Sequence, residues 1–143
     1  MPVYTVTTEM GRLDQEQKER LATGITGIHG EETGASEPLI HVLFLSYPKH
    51  SAWSSSKPGS PILVSASLRS GRSEDIRQRM LHRINDLICE VTQISARNVI
   101  VTLFDCPSHW AMEAGMVTPG ADPVAEAAWN REFSARFPAN PYA

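Results

Sequence analysis

Two stretches of the chain carry the same order of apolar and polar positions. Residues 2–8, Pro-Val-Tyr-Thr-Val-Thr-Thr, alternate weakly and are rich in β-branched and aromatic side chains, which predicts a strand. Residues 62–68, behind Pro61, repeat that character. Each run opens with Pro and is followed by a Gly-Arg pair, Gly11-Arg12 and Gly71-Arg72. Behind the first pair, Leu21, Ile25 and Ile28 fall at i, i+4 and i+7, one face of a helix. Asp14, with Gln17 three positions on, forms a capping box at its start; His29 ends the apolar face and Gly34 stops the helix. Behind the second pair, Ser73 is an N-cap with Glu74 and Asp75 in the first turn, where the helix dipole favours acids. Ile76, Met80, Ile84, Leu87 and Val91 then form an amphipathic stripe. A second β-rich run follows each helix, at 39–45 (apolar except for His41) and at 99–104. The copies stay in step: Pro2 and Pro61, Ile25 and Ile84, and Val42 and Val101 each lie fifty-nine positions apart. The chain therefore reads as one β-α-β unit written twice, with parallel strands and a right-handed crossover inside each unit.

Between the copies, residues 46–60 turn to Ser, Pro, Lys and Gly, a connection whose Ser54-Ser55-Ser56 tip is expected to be mobile. Past Asp105 the repeat stops. Cys106-Pro107 breaks the strand, 108–114 reads as a short helix ended by Gly115, and 120–123 is a turn. Residues 124–137 form a modestly amphipathic helix carrying Trp129, Phe133 and Phe137, and nothing in the Pro-Ala-Asn-Pro tail would order it alone. The predicted fold is α+β, a single domain over 1–143 with repeat one at 2–47, repeat two at 61–105 and an appendage at 106–143. Its two units form a four-stranded mixed sheet with two helices on one face, plus a C-terminal helix. The other face of the sheet is left bare, with Val and Ile on it, and closing such faces around a ring axis predicts an oligomer.

At 143 residues a single domain buries about 68–70% of its unfolded surface. Thirteen basic against sixteen acidic side chains leave a formal charge of −3, and nothing in that balance suggests an electrostatic grip on nucleic acid. Cys89 sits in a helical pattern and Cys106 precedes a Pro, so no disulfide framework is expected and the chain reads as reduced and cytoplasmic. No apolar run approaches the roughly 20 residues of a membrane span. His41, His50, His82 and His109 show no ligand spacing, so no metal is expected; the helix stripes read as core, so no cofactor is either.

One chemical difference separates the copies. The nitrogen of Pro61 is an amide, whereas Pro2 follows only Met1, and removal of that Met would leave a secondary amine. An α-amino group titrates near ~7.7–8.0, and apolar burial beside arginine charge pushes it down. A neutral amine is a base able to move a proton between the oxygen and carbon of an enol. A protonated one can add a proton to an alkene while water attacks elsewhere. Arg69 and Arg72, beside the second Gly, offer planar forks suited to a carboxylate and to negative charge developing near it. Taken singly, Arg69, Arg72, His29 and Glu113 each have an ordinary structural reading as surface or helix-end residues; their combination with a free amine is what points to catalysis.

The opening Pro, Gly-Arg nine residues on, and the run Asp-Gln-Glu-Gln-Lys-Glu at 14–19 resemble the 4-oxalocrotonate tautomerase superfamily. The doubled length, His29 and Arg69-Ser70-Gly71-Arg72-Ser73 are similar to its cis-3-chloroacrylic acid dehalogenase group, over roughly residues 2–115. The resemblance implies two fused units assembling as a homotrimer, with Pro2 as general acid or base. It implies that His29 holds the substrate carboxylate or attacking water, that Arg69 and Arg72 bind the carboxylate, and that Glu113 activates water. A Tyr that assists the Glu in that group is replaced by Thr102, which is shorter and has no acidic phenol; this counts against hydrolytic dehalogenation. The expected activity is cofactor-independent enol–keto tautomerisation of small 2-oxo or α,β-unsaturated carboxylates, with hydration open to the same groups. Dehalogenation of cis-3-haloacrylates is the alternative, and a non-catalytic trimeric interaction module is a third reading if Met1 is retained. The expected partners are a small carboxylate and copies of the same chain, with neither nucleic acid nor membrane.

Overall fold

The computed structural model describes residues 2–139; the fate of Met1 and the tail from residue 140 onward lie outside the described residues. Strand β1 (Val3–Glu9) leads into helix α1 (Gln15–Thr33), and a 3₁₀ turn at Glu37–Leu39 precedes β2 (His41–Tyr47). Two short strands, β3 (Trp53–Ser54) and β4 (Lys57–Pro58), interrupt the connection. The second unit is β5 (Ile62–Arg69), α2 (Glu74–Thr92) and β6 (Val99–Cys106). A small pair, β7 (Met112–Glu113) and β8 (Met116–Val117), comes before α3 (Pro123–Arg136).

The four long strands make one sheet in the order β2-β1-β5-β6. β1 runs parallel to β2 and β5 parallel to β6, while the two units meet antiparallel at β1 and β5. The register carries the repeat. Shifting the pair Tyr4↔Ala66 by fifty-nine positions gives Thr7↔Leu63, and shifting Thr5↔Ser65 gives Val6↔Val64, all of them observed pairs. The doubled sequence is thus folded about an approximate two-fold between the central strands.

One face of the sheet is the core. Tyr4, Val6, Val64, Ala66 and Leu68 point into it and meet Leu21 and Ile25 of α1 and Met80, Ile84 and Ile88 of α2, each at most 1% exposed. Each large apolar side chain buried this way contributes about 1.5–3 kcal/mol. Both expected caps are present. Asp14 Oδ1 accepts the Gln17 N–H at 2.8 Å while the Gln17 side chain accepts the Asp14 N–H, and Ser73 Oγ accepts the Ile76 N–H. Leu87, placed on the stripe by its spacing, is only partly buried. It packs instead on Gly24 of α1, where a Cβ would lie 2.6 Å from Leu87 Cδ2.

Two stretches differ from their sequence pattern. The connection at 46–60, read as a loop, contains the β3–β4 hairpin, with Ser55 and Ser56 both at positive φ. Residues 108–114 are not a helix but a 3₁₀ turn (Ser108–Trp110) followed by the β7–β8 hairpin. Ala114 and Gly115, at φ 53° and 75°, take the left-handed conformation that a two-residue hairpin requires, which an α-helix does not contain. The last helix forms close to where expected. Asp122 caps it on the Ala125 N–H at 2.7 Å, and Phe133 with Trp129 and Phe137 packs on Leu39 and Met116 as a second small core.

Candidate active site

Pro2 stands buried at the entry to β1, and its carbonyl accepts the His41 N–H at 3.0 Å, which ties the chain start to β2. His29 lies in the last turn but one of α1, and Gly34, at φ 72°, ends that helix by donating its N–H to the Gly30 carbonyl. Arg69 is the last residue of β5, and Arg72 lies in the short connection to α2. Pro2, His29, Arg69 and Arg72 all line one cleft, closed on one side by Glu126, Trp129 and Asn130 of α3. Four residues separated by up to seventy positions are therefore brought together because a strand start, a helix end and a strand end meet at one corner of the sheet.

His29 is 4% exposed and its Nδ1 lies 2.7 Å from the Tyr4 hydroxyl. Burial, then the positive charges of Arg72 and Arg69, lower its pKa to about 3, so the ring is neutral. Burial also pushes the Tyr4 phenol up, which keeps it protonated. A neutral ring that accepts the Tyr4 O–H at Nδ1 carries its own proton on Nε2, a donor for an oxygen in the cleft. Arg69 donates through Nη1 to the Pro119 carbonyl at 2.9 Å, and Arg72 through Nη1 to the Thr33 carbonyl at 3.2 Å. Both Nη2 groups converge on Glu126 Oε1, at 2.7 Å from Arg69 and 3.4 Å from Arg72. Burial lowers the Arg72 pKa against the pull of Glu126, with Arg69 adding to the lowering, so this pair of cations strongly favours an anion beside it.

Glu113 and Thr102 do not line this cleft. Glu113, on β7, is 6% exposed, and its Oε1 lies 2.8 Å from His41 Nε2. His41 pairs with Val3, so the Glu113 carboxylate sits near the strand end that carries Pro2, but outside the arginine cleft. Burial raises its pKa, yet hydrogen bonding and positive charge, His41 among them, outweigh that and hold the carboxyl below its usual range. Thr102 pairs with Ser65, which pairs with Thr5, which pairs with Leu43, a row on the sheet face opposite the core. Within one chain it does not reach Pro2 or Glu113. The corresponding corner of the second copy holds no such set: Arg12 donates to the Ser60 Oγ and carbonyl, and Ile88 stands where the first copy has His29.

Tyr4, His41 and Glu126 belong to the surroundings of the site and do not stand out in the sequence as site residues. Tyr4 reads as one more core position of an alternating strand. Glu126 lies more than fifty positions from either arginine, with no motif joining them.

A family model described as "Putative oxalocrotonate tautomerase enzyme" (Tautomerase_3) matches residues 1–133. The chain belongs to this tautomerase family. The match runs through most of α3, the helix that carries Glu126. Among solved structures, native Ps01740 is 36% identical, with a TM-score of 0.76, covering 78% of this chain and 99% of that one. N1, a member of the cis-3-chloroacrylic acid dehalogenase family, is 21% identical with a TM-score of 0.83, covering 93% and 99%. The Q0 fused 4-OT wild-type symmetric trimer is 16% identical with a TM-score of 0.75, covering 81% and 94%. The last two share the fold with this tautomerase-family chain. No curated protein sequence matches it.

Proposed function

We propose that this chain is a cofactor-independent tautomerase that uses the Pro2 amine, freed by loss of Met1, as general base and acid on small 2-oxo or α,β-unsaturated carboxylates. The observation that carries the reading is the convergence of Pro2, His29, Arg69 and Arg72 on one cleft. The arginines hold the substrate carboxylate, and His29 Nε2–H donates to the adjacent 2-oxygen. Apolar burial and the two arginine charges lower the affinity of the Pro2 nitrogen for its proton, which makes it a base near neutral pH. It takes the enol O–H proton as the C–O bond becomes a carbonyl, and returns that proton to carbon, so nothing is consumed. Negative charge that grows on the enolate oxygen is met by His29 and the arginines, already in position.

Water chemistry is the second reading, favoured by one feature: the buried, ionised Glu113 near the strand end that carries Pro2. Hydration or cis-3-haloacrylate dehalogenation would need Glu113 to act on the same substrate as Pro2. Glu113 lies outside the cleft and Thr102 on the opposite face, so tautomerisation is placed first. The assembly that fits is a homotrimer closed over the open sheet face; the Q0 fused 4-OT that shares the fold is a symmetric trimer.

Intact mass and turnover test the reading together. A chain lighter by one Met is expected to ketonise phenylenolpyruvate or 2-hydroxymuconate, and Pro2→Ala is expected to lose most of kcat/KM, retaining a residue of activity through its primary amine. Wild-type kcat/KM in Pro2→Ala would sink the proposal. Retained Met1, which turns the amine into an amide, would favour the non-catalytic interaction module.

A further inference from the structure

Glu126 occupies the seat that the proposed reaction assigns to the substrate. Its Oε1 bridges the Nη2 atoms of Arg69 and Arg72, whose Nη1 atoms are already committed to backbone carbonyls. The three side chains are 22%, 11% and 14% exposed, so their charges interact with little screening by solvent. Glu126 is also fixed from behind. One turn on, Trp129 Nε1 donates to the Val117 carbonyl at 3.0 Å, and Phe133 is buried against Leu39 and Met116. The helix thus presents a carboxylate that is part of the cleft wall. With two guanidiniums, one carboxylate and a neutral imidazole, the cleft carries a charge of +1. One ligand carboxylate brings it to neutrality; a second would make it −1 and lie beside the Glu126 carboxylate, a like charge.

We infer that Glu126 is a specificity-determining residue, selecting monocarboxylates over dicarboxylates by cancelling one of the two arginine charges. The inference rests on the reading of this cleft as the substrate site, and goes beyond it by naming the charge class admitted. Asn130 lines the cleft on the same helix one turn beyond Glu126, which allows the charge to be moved rather than merely deleted.

Crotonate and fumarate differ by one carboxylate and carry no enol, so they report binding without tautomerisation. Their affinities are read from the Trp129 indole N–H resonance in wild type, Glu126→Gln, Asn130→Asp and the double variant. The wild type is expected to prefer crotonate. The ratio of fumarate to crotonate Kd is expected to fall about tenfold in Glu126→Gln, to rise in Asn130→Asp, and to return toward wild type in the double variant. All of these differences are expected to shrink at ~1 M salt. A wild type that prefers fumarate or binds neither acid overturns the inference. So does a ratio that stays within about twofold across the four proteins. Because Asn130→Asp moves the ratio the other way, misfolding of one variant does not leave the question open. Turnover of phenylenolpyruvate, a monocarboxylate, by the same proteins separates the two ideas. Shifted binding ratios without turnover would leave charge selection standing and remove the tautomerase reading. Turnover with unshifted ratios would remove charge selection alone.

Discussion

His29 is a basic side chain placed where it cannot easily become charged, and stability should record that. Its pKa is lowered to about 3 by burial and by Arg72 and Arg69, against an ordinary value of 6.5. Between those values the unfolded chain binds a proton at this position and the folded chain does not. Lowering the pH therefore favours unfolding, and the loss begins as pH falls below 6.5. For one full proton the slope is about 1.4 kcal/mol per pH unit. Urea unfolding from pH 7 to 4.5 is expected to show this loss in wild type and a shallower one in His29→Gln, whose amide oxygen still accepts the Tyr4 hydroxyl. Parallel curves would mean that His29 is protonated in the folded protein. Glu113, held below its ordinary 4.5, loses its own contribution beneath this window. The sequence made Pro2, His29, Arg69 and Arg72 readable because the repeat supplied a frame in which each was out of the ordinary. Tyr4 was hidden by doing two things at once, filling the core and holding the imidazole. Glu126 was hidden because its partners are distant in sequence and an acid in the first turn of a helix needs no explanation beyond the dipole.

The elements were legible where periodicity and capping agreed, and opaque where a left-handed residue decided. Asp14 and Ser73 cap the helices that follow them as their patterns predict, and the strands lie within about two residues of their predicted bounds. The β7–β8 hairpin was missed because Ala-Met-Glu-Ala has high helix propensity, and only the backbone of Ala114 and Gly115 reveals the turn. Two glycines of α1 test the distinction. A Cβ would meet nothing within 4 Å at Gly27 or at Gly34, so packing is silent at both and the backbone alone sets the sign. Gly27 is inside the helix, where Ala is favoured by about 0.8–1 kcal/mol. Gly34 is the C-cap at φ 72°, where a Cβ costs about 1–2 kcal/mol. Thermal or urea midpoints are expected to rise for Gly27→Ala and fall for Gly34→Ala. A fall for both would indicate that α1 is constrained at Gly27 by something other than its own backbone.

At the scale of the molecule, the unresolved demand is the second face of the sheet. Leu43, Leu45, Leu63, Ile100 and Phe104 are between 38% and 56% exposed, and the register places all of them on the side away from α1 and α2. They are too many for a scattered surface population and too flat to bury one another. Both edge strands, β2 and β6, also lack a neighbour on their outer side within the described sheet. Copies of the same chain would meet both demands at once, and in the proposed trimer three of them would close the ring over that face. Light scattering is expected to give close to three times the 15.8 kDa of one chain. Leu43→Lys with Ile100→Lys should dissociate the assembly while keeping its helical circular dichroism, because neither side chain belongs to the core. Crotonate binding is expected to survive in the dissociated form, since Pro2, His29, Arg69 and Arg72 come from one chain. Binding lost on dissociation would show that a neighbour completes the cleft, and Thr102, which lies in the same row as Leu43, would then be the first residue to examine. A wild type that scatters as a single chain would remove the trimer and require a different cover for the apolar face.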